Sequence, residues 1–194
     1  MKVLSLFDGM SCGRIALDRA QIPIERYYAS EIKKSAIAVS QHNWDDITHV
    51  GDVTQLRGED FKDIDLLIGG SPCQDFSIAN AMKADRAGLE GTKSKLFYEY
   101  LRLLREIQPK YFLLENVKMK PEAKTQLDEY LGVEGVLIDS QLVSFQKRPR
   151  VYWTNIPNLT VPEDRHVSFQ DHRSRDVEYE RLFKLNPTPS RIKM

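Results

Sequence analysis

The sequence predicts an α/β fold: a doubly wound, mostly parallel sheet with helices on both faces, closed by a terminal antiparallel hairpin. Two observations predict it. Five short apolar runs, rich in branched and aromatic residues, alternate with stretches of helical character, the pattern of right-handed βαβ crossovers. Beyond the fifth run, two further strand-like runs follow each other closely enough to pair as a hairpin.

Each element follows from its own residues. KVLSLF is the first strand, DGMSCG turns the chain, and RIALDRA reads as helix. RYYASEI is the second strand and KKSAIAVSQHN the second helix. THVGDV suits a short third strand, and IDLLIGG, too brief for a helix, an internal fourth. A long polar segment, DFSIANAMKADRAGLEGTKS, leads to KLFYEYLRLLREI. There Leu96, Tyr100, Leu101, Leu104 and Ile107 recur at the three- and four-residue spacing of one helix face. YFLLENV is a fifth buried strand, and PEAKTQLDEYL a helix with proline near its start, where a missing N–H does no harm. GVLIDSQLVSF and RVYWTNI make the hairpin, whose last strand is antiparallel. After Pro157 the pattern fades, so a compact core is expected over 1–157 and a polar tail over 158–194.

With 194 residues, 41% of them hydrophobic and 29% charged, the chain can fill one core and has no bias towards disorder. Its two cysteines, Cys12 and Cys73, make no disulfide framework. The start does not look like a signal peptide, and no apolar run nears membrane length. A reducing, cytoplasmic setting with no membrane partner is therefore expected. Net charge is zero, but residues 1–146 sum to −4 and residues 147–194 to +4. The basic excess begins at KRPR, as at a nucleic-acid surface or a solvated tail.

In open α/β sheets chemistry collects past the carboxyl ends of the strands. Gly9 and Gly13 follow the first strand and lead into a helix, where backbone N–H groups meet a ligand. Glu31 ends the second strand at a distance that suits a bond to ribose hydroxyls, and Asp52 follows the third, placed for an adenine amino group. An ordinary tight turn with two exposed carboxylates is the plainer account. Cys73 directly follows the fourth strand, placed as a reactive thiol would be, or as a small buried filler. Glu115 and Asn116 end the fifth apolar run, where an unpaired charge is costly. Either the carboxylate caps a turn or pairs with an arginine, or it handles protons in a cleft. Gln146, Arg148 and Arg150 lie between the hairpin strands, with Arg150 able to point back towards Glu115. A soft nucleophile and a proton donor beside a nucleoside pocket can add across the C5–C6 bond of a pyrimidine and make C5 nucleophilic towards a methyl donor. No metal-ligand set is read.

Six stretches, LSLFDGMSCG, ASEI, GDV, GGSPCQDFS, LENV and QKRPR, resemble the ordered motifs of the cytosine-C5 DNA methyltransferases and come in that family's order. GGSPCQDFSIAN, GLEGTKSKLFYEYLRLL and VLIDSQLVSF are similar to the catalytic domains of animal de novo methyltransferases, although a phage or bacterial source suits so short a chain. The resemblance implies a Rossmann-like, S-adenosylmethionine-dependent methyltransferase sheet and methylation of C5 of a cytosine flipped out of double-stranded DNA. Cys73 would be the thiolate that adds to C6. Glu115 would hold N3 and the amino group and protonate N3. Arg150 would bind O2, with Arg148 and Gln146 ordering the site. Phe7, Asp8, Gly9, Gly13, Glu31, Ile32, Asp52, Val53, Pro72 and Leu96 would form the S-adenosylmethionine pocket. Gln74, Ser77 and Asn116, with Gln146, would meet the substrate, and residues 75–95 would close over the DNA.

Family members continue past QKRPR into a target-recognition region and two further motifs, the last a helix that packs beside DGMSCG. Residues 158–194 read as the apparent start of a truncated recognition region, and neither of the two further motifs is read in them. The expectation is therefore a catalytic part that works with a second polypeptide supplying recognition, or as a homodimer. The alternatives are a non-catalytic remnant that binds S-adenosylmethionine or a partner protein, and a tRNA cytosine-5 methyltransferase. The glutamine of PCQ resembles the DNA enzymes. A nicotinamide-dependent oxidoreductase would want G-x-G-x-x-G, which is absent, and would leave the SPC and LENV residues without a task. A plain interaction module would not be expected to retain cofactor affinity.

Overall fold

The computed structural model describes residues 1–71, 95–173, 176 and 178. Its centre is a seven-stranded sheet of order β3-β2-β1-β4-β5-β7-β6. The strands are β1 (Lys2–Leu6), β2 (Arg26–Ser30), β3 (Ile47–His49), β4 (Leu66–Gly69), β5 (Tyr111–Val117), β6 (Val136–Asp139) and β7 (Pro149–Thr154). The first five are parallel, while β7 runs antiparallel to both β5 and β6. The hairpin therefore inserts its second strand against β5 and leaves β6 at the edge.

Among the described residues five α-helices accompany the sheet: α1 (Cys12–Arg19), α2 (Lys34–Asn43), α3 (Lys95–Ile107), α4 (Pro121–Leu131) and α5 (Phe169–His172). Because strand side chains alternate between faces, Leu4, Leu6, Leu67, Phe112 and Leu114 point one way and pack against α3 and α4. Val3, Tyr27, Ala29, Leu66 and Ile68 point the other way, with Leu17 of α1 packed against them. The buried face of α3 carries Tyr100, Leu101 and Ile107 as the spacing predicts, and also Phe97 and Leu103.

Three elements differ from expectation. The third strand is Ile47–His49, not residues 48–53. Gly51 takes a φ of 81°, and Asp52 caps a 3₁₀ turn at Val53–Gln55 by accepting the Thr54 N–H. Local side-chain capping defeats strand pairing there. The sixth strand ends at Asp139 because that carboxylate accepts the N–H groups of Gln141 and Arg148, folding 140–148 into a compact connection. β5 is buried on one face only, its residues alternating between buried and half-buried.

One polar anchor fixes the hairpin. Asp128 on α4 accepts hydrogen bonds from Trp153 Nε1 at 2.6 Å, the Gly135 N–H at 2.9 Å and Lys124 Nζ at 2.7 Å. Gly135 is required there, since a Cβ would stand 2.5 Å from the Trp153 ring. Burial alone would push the Asp128 carboxyl up, but Lys124, the Gly135 N–H and Trp153 together hold it below the ordinary carboxylate value. Asp128→Ala leaves the fully buried Trp153 indole without this acceptor and is expected to cost about 2–3 kcal/mol, read by urea unfolding. The folded carboxyl titrates below its unfolded value of about 3.9, so its charge-linked contribution is complete above that pH. It is lost as pH falls through the lower folded value, and Asp128→Ala is expected to remove that part of the acid sensitivity.

Candidate active site

Chain order reverses between β1 and β4, neighbours in the sheet with Leu6 opposite Gly69. Ligands in open α/β sheets bind at such a switch point. Beside it, Phe7, Glu31, Ile32, Asp52, Val53 and Leu96, together with Ser30, line a cavity of about 140 Å³. Phe7, Val53 and Leu96 give it apolar walls, and two carboxylates face it with one hydroxyl. Glu31 is fixed from three sides: Oε2 accepts the Gly9 N–H at 2.9 Å, and Oε1 accepts the N–H groups of Ile32 at 2.9 Å and Lys33 at 2.8 Å. A carboxylate has about four acceptor positions, so Glu31 retains capacity for one more donor. Arg102 of α3, held by Glu99 and Glu106, donates to the Val53 carbonyl at 3.3 Å and so braces that wall.

Asp8 and Gly13, expected in the same pocket, do not line it. Asp8 is buried, accepting from the Tyr27 hydroxyl at 2.7 Å and from Ser11 Oγ at 2.5 Å. Ser11 Oγ lies 2.6 Å from Ser40 Oγ, which lies 3.3 Å from His49 Nε2. Burial pushes the Tyr27 phenol far up and the Asp8 carboxylate adds to it, so the hydroxyl remains a donor. Gly13 makes room for that phenol: a Cβ would stand 2.8 Å from the Tyr27 hydroxyl and 2.4 Å from Ile68 Cδ1. Gly9 is beside the pocket, tied to Glu31 through its N–H.

A second cluster forms where β4 and β5 end. Arg150 Nε on β7 is 2.7 Å from Glu115 Oε1 on β5, and Arg148 Nη2 is 4.0 Å from the same oxygen. The antiparallel register sets this pair, with Glu115 opposite Tyr152 and Arg150 opposite Val117. Gly70 leaves the carboxylate room, as a Cβ there would stand 3.1 Å from Glu115 Oε2. Asn116 takes no part in that ion pair. It is buried, donates to Ser71 Oγ at 3.2 Å and thereby ties the exit of β4 to that of β5. Gln146 is exposed on the β6–β7 connection. Pro72, Cys73, Gln74 and Ser77 lie outside the described residues, as do residues 75–94 of the segment 75–95 expected to close over DNA.

The carboxyl ends of the parallel strands thus carry a carboxylate paired with an arginine and a pocket with apolar walls and two acids. The family model for C-5 cytosine-specific DNA methylase matches residues 1–130. The chain belongs to that family. An orphan methyltransferase of Bacillus phage rho11s is 34% identical over 86% of this chain and 35% of its own length. Another, of Bacillus phage SPR, is 35% identical over 96% of this chain and 45% of its own length. The chain therefore spans less than half the length of these curated relatives. A methyltransferase of Entamoeba histolytica shares the fold, with a TM-score of 0.67 at 16% identity over 87% of this chain and 57% of that one.

Sequence reading did not single out Ser30, which lines the cavity, Ser71, which meets Asn116, or Tyr27, Ser40 and His49, which join the network of Asp8 and Ser11. Ser30 and Ser71 carried a signal, each lying next to a motif residue at a strand end. Tyr27, Ser40 and His49 carried none, because their links to Asp8 cross from one element to another.

Proposed function

We propose that this chain supplies the chemistry of a DNA (cytosine-5)-methyltransferase, with S-adenosylmethionine as methyl donor and a cytosine flipped from double-stranded DNA as acceptor. The observation that carries this reading is the Glu115–Arg150 pair at 2.7 Å, at the same sheet edge as the cavity beside the β1/β4 switch. The cavity's residues fit the donor. Phe7, Val53 and Leu96 suit the flat faces of an adenine ring, Glu31 has acceptor capacity for a ribose hydroxyl, and Asp52 suits the adenine amino group. When bound, S-adenosylmethionine supplies an electrophilic methyl group. Glu115, oriented by Arg150, would hold the amino edge of cytosine and deliver a proton to N3. Cys73 would add to C6, and Arg148 lies within ion-pair distance of Glu115 to order the site. Reaching C6 requires the base to leave the stack. A second copy of the chain, or a second polypeptide, is the proposed source of target recognition.

Glu31→Ala is expected to weaken S-adenosylmethionine binding about tenfold to hundredfold, through loss of a charge-assisted hydrogen bond and release of the Gly9 loop. Titration calorimetry checks it, and unchanged affinity would move the donor elsewhere. The reading as a whole is tested by transfer of a labelled methyl group to unmethylated, cytosine-rich DNA. The purified chain is assayed alone and with candidate partner polypeptides. Transfer that depends on Glu115 supports it, whereas a folded chain that neither binds the donor nor transfers methyl under any of these conditions sinks it.

A further inference from the structure

We propose that Tyr27 is a positioning residue for the cofactor, acting through Asp8 on the loop Phe7–Ser11; this rests on the reading of the cavity as the S-adenosylmethionine pocket. Tyr27 does not touch that cavity. Its ring belongs to the second face of the sheet, with Val3, Ala29 and Ile68, whereas Phe7, Val53 and Leu96 belong to the first. Its hydroxyl nevertheless reaches the loop between them.

That loop needs holding. Phe7 has φ 57°, Gly9 61° and Ser11 62°. Left-handed backbone is uncommon for a residue with a side chain, and persists only where the surroundings over-determine it. Asp8 lies between Phe7 and Gly9, and all its described contacts restrain the loop. Its N–H donates to the Ser30 carbonyl at 3.1 Å, and its carboxylate accepts from Tyr27 and Ser11. The Gly9 N–H then donates to Glu31 at 2.9 Å, and Phe7 turns into the cavity wall. The chain of contacts runs from Tyr27 through Asp8 to both pocket groups of the loop. Gly13 supports the same reading, because a Cβ there would crowd the Tyr27 hydroxyl at 2.8 Å as well as Ile68 Cδ1 at 2.4 Å.

The test is Tyr27→Phe in the full chain, which keeps the ring and removes the hydroxyl. Two quantities are measured: amide hydrogen exchange over residues 7–11 without any cofactor, and S-adenosylmethionine affinity by calorimetry. Exchange over the loop is expected to quicken roughly tenfold while the rest of the sheet is unchanged. Affinity is expected to fall about tenfold. Unchanged exchange overturns the proposal, and so does faster exchange with unchanged affinity. A purely structural role would quicken exchange across the whole sheet and leave the affinity of the folded fraction intact, which also overturns it. Should Tyr27→Phe not fold, Asp8→Asn is held to the same outcomes. If the unsubstituted chain does not bind S-adenosylmethionine, the cofactor reading fails, and with it the cofactor role of Tyr27. The exchange measurement still decides separately whether Tyr27 holds the loop.

Discussion

Methyl transfer by the Cys73→Ser protein is expected to fall by roughly 10⁴-fold or more, with fold and S-adenosylmethionine affinity unchanged. The two side chains differ by one atom, so packing has little reason to respond. Their chemistry differs greatly. A thiol with a pKa of about 8.5 is a few per cent thiolate at neutral pH, and cationic neighbours raise that fraction. A serine hydroxyl keeps its proton at any working pH and would need a base, which Glu115 cannot supply while it serves as proton donor. The described residues around this position support the assignment. β4 ends at Gly69 next to the switch point, and Ser71, two residues before Cys73, is held by buried Asn116. The measurement is labelled-methyl transfer at saturating donor, with thermal unfolding and calorimetry on the same preparation. Transfer at the unsubstituted rate would remove Cys73 from the chemistry. Loss of transfer together with loss of donor binding would assign the effect to the pocket.

Why some of this was legible in the sequence and some was not has physical causes. The helix Pro121–Leu131 and the strand Tyr111–Val117 match the expected runs to the residue, and the helix described from Lys95 ends at Ile107 as its run does. In each, propensity, period and flanking residues all point the same way. The third strand failed where they disagree: HVGDV has strand-like residues, but Gly51 and the Asp52 cap turn the chain first. The pair of Glu115 and Arg150 was legible because a charge at the end of an apolar run needs a partner and the hairpin returns one. Asn116 shows the opposite lesson. Adjacent strand residues face opposite sides, so once Glu115 is assigned to the cleft, Asn116 belongs beneath it. The Asp8 network was not legible at all, because a tyrosine in RYYAS reads as an ordinary strand aromatic. Nothing local announces that its hydroxyl meets a carboxylate 19 positions earlier.

Glu115→Gln is the second large effect, an expected fall of about 10²–10⁴-fold in kcat with S-adenosylmethionine affinity unchanged. Glutamine keeps the size of the side chain and an acceptor oxygen, but it cannot carry and deliver a proton. It also gives up the charge that holds Arg150, whose side chain is 17% exposed against 30% for Glu115. Arg150→Leu reaches the same pair from the other side. It leaves the carboxylate with Arg148 at 4.0 Å as its remaining described cation, too long for a direct hydrogen bond. Both single variants should lose about 1–3 kcal/mol of stability, since each strands a partly buried partner. Stability therefore does not distinguish a structural ion pair from a catalytic one, and the kinetics must. If the pair is catalytic, kcat falls in each variant far beyond any loss of folded protein. The double variant then loses much less than the product of the two single effects, because the second substitution removes a partner already useless. If the pair only holds β5 to β7, rates per folded molecule stay near the unsubstituted value, and the coupling appears in unfolding free energy alone. A thermodynamic cycle built from these three variants and the unsubstituted chain, measured once for stability and once for kcat, separates the two cases.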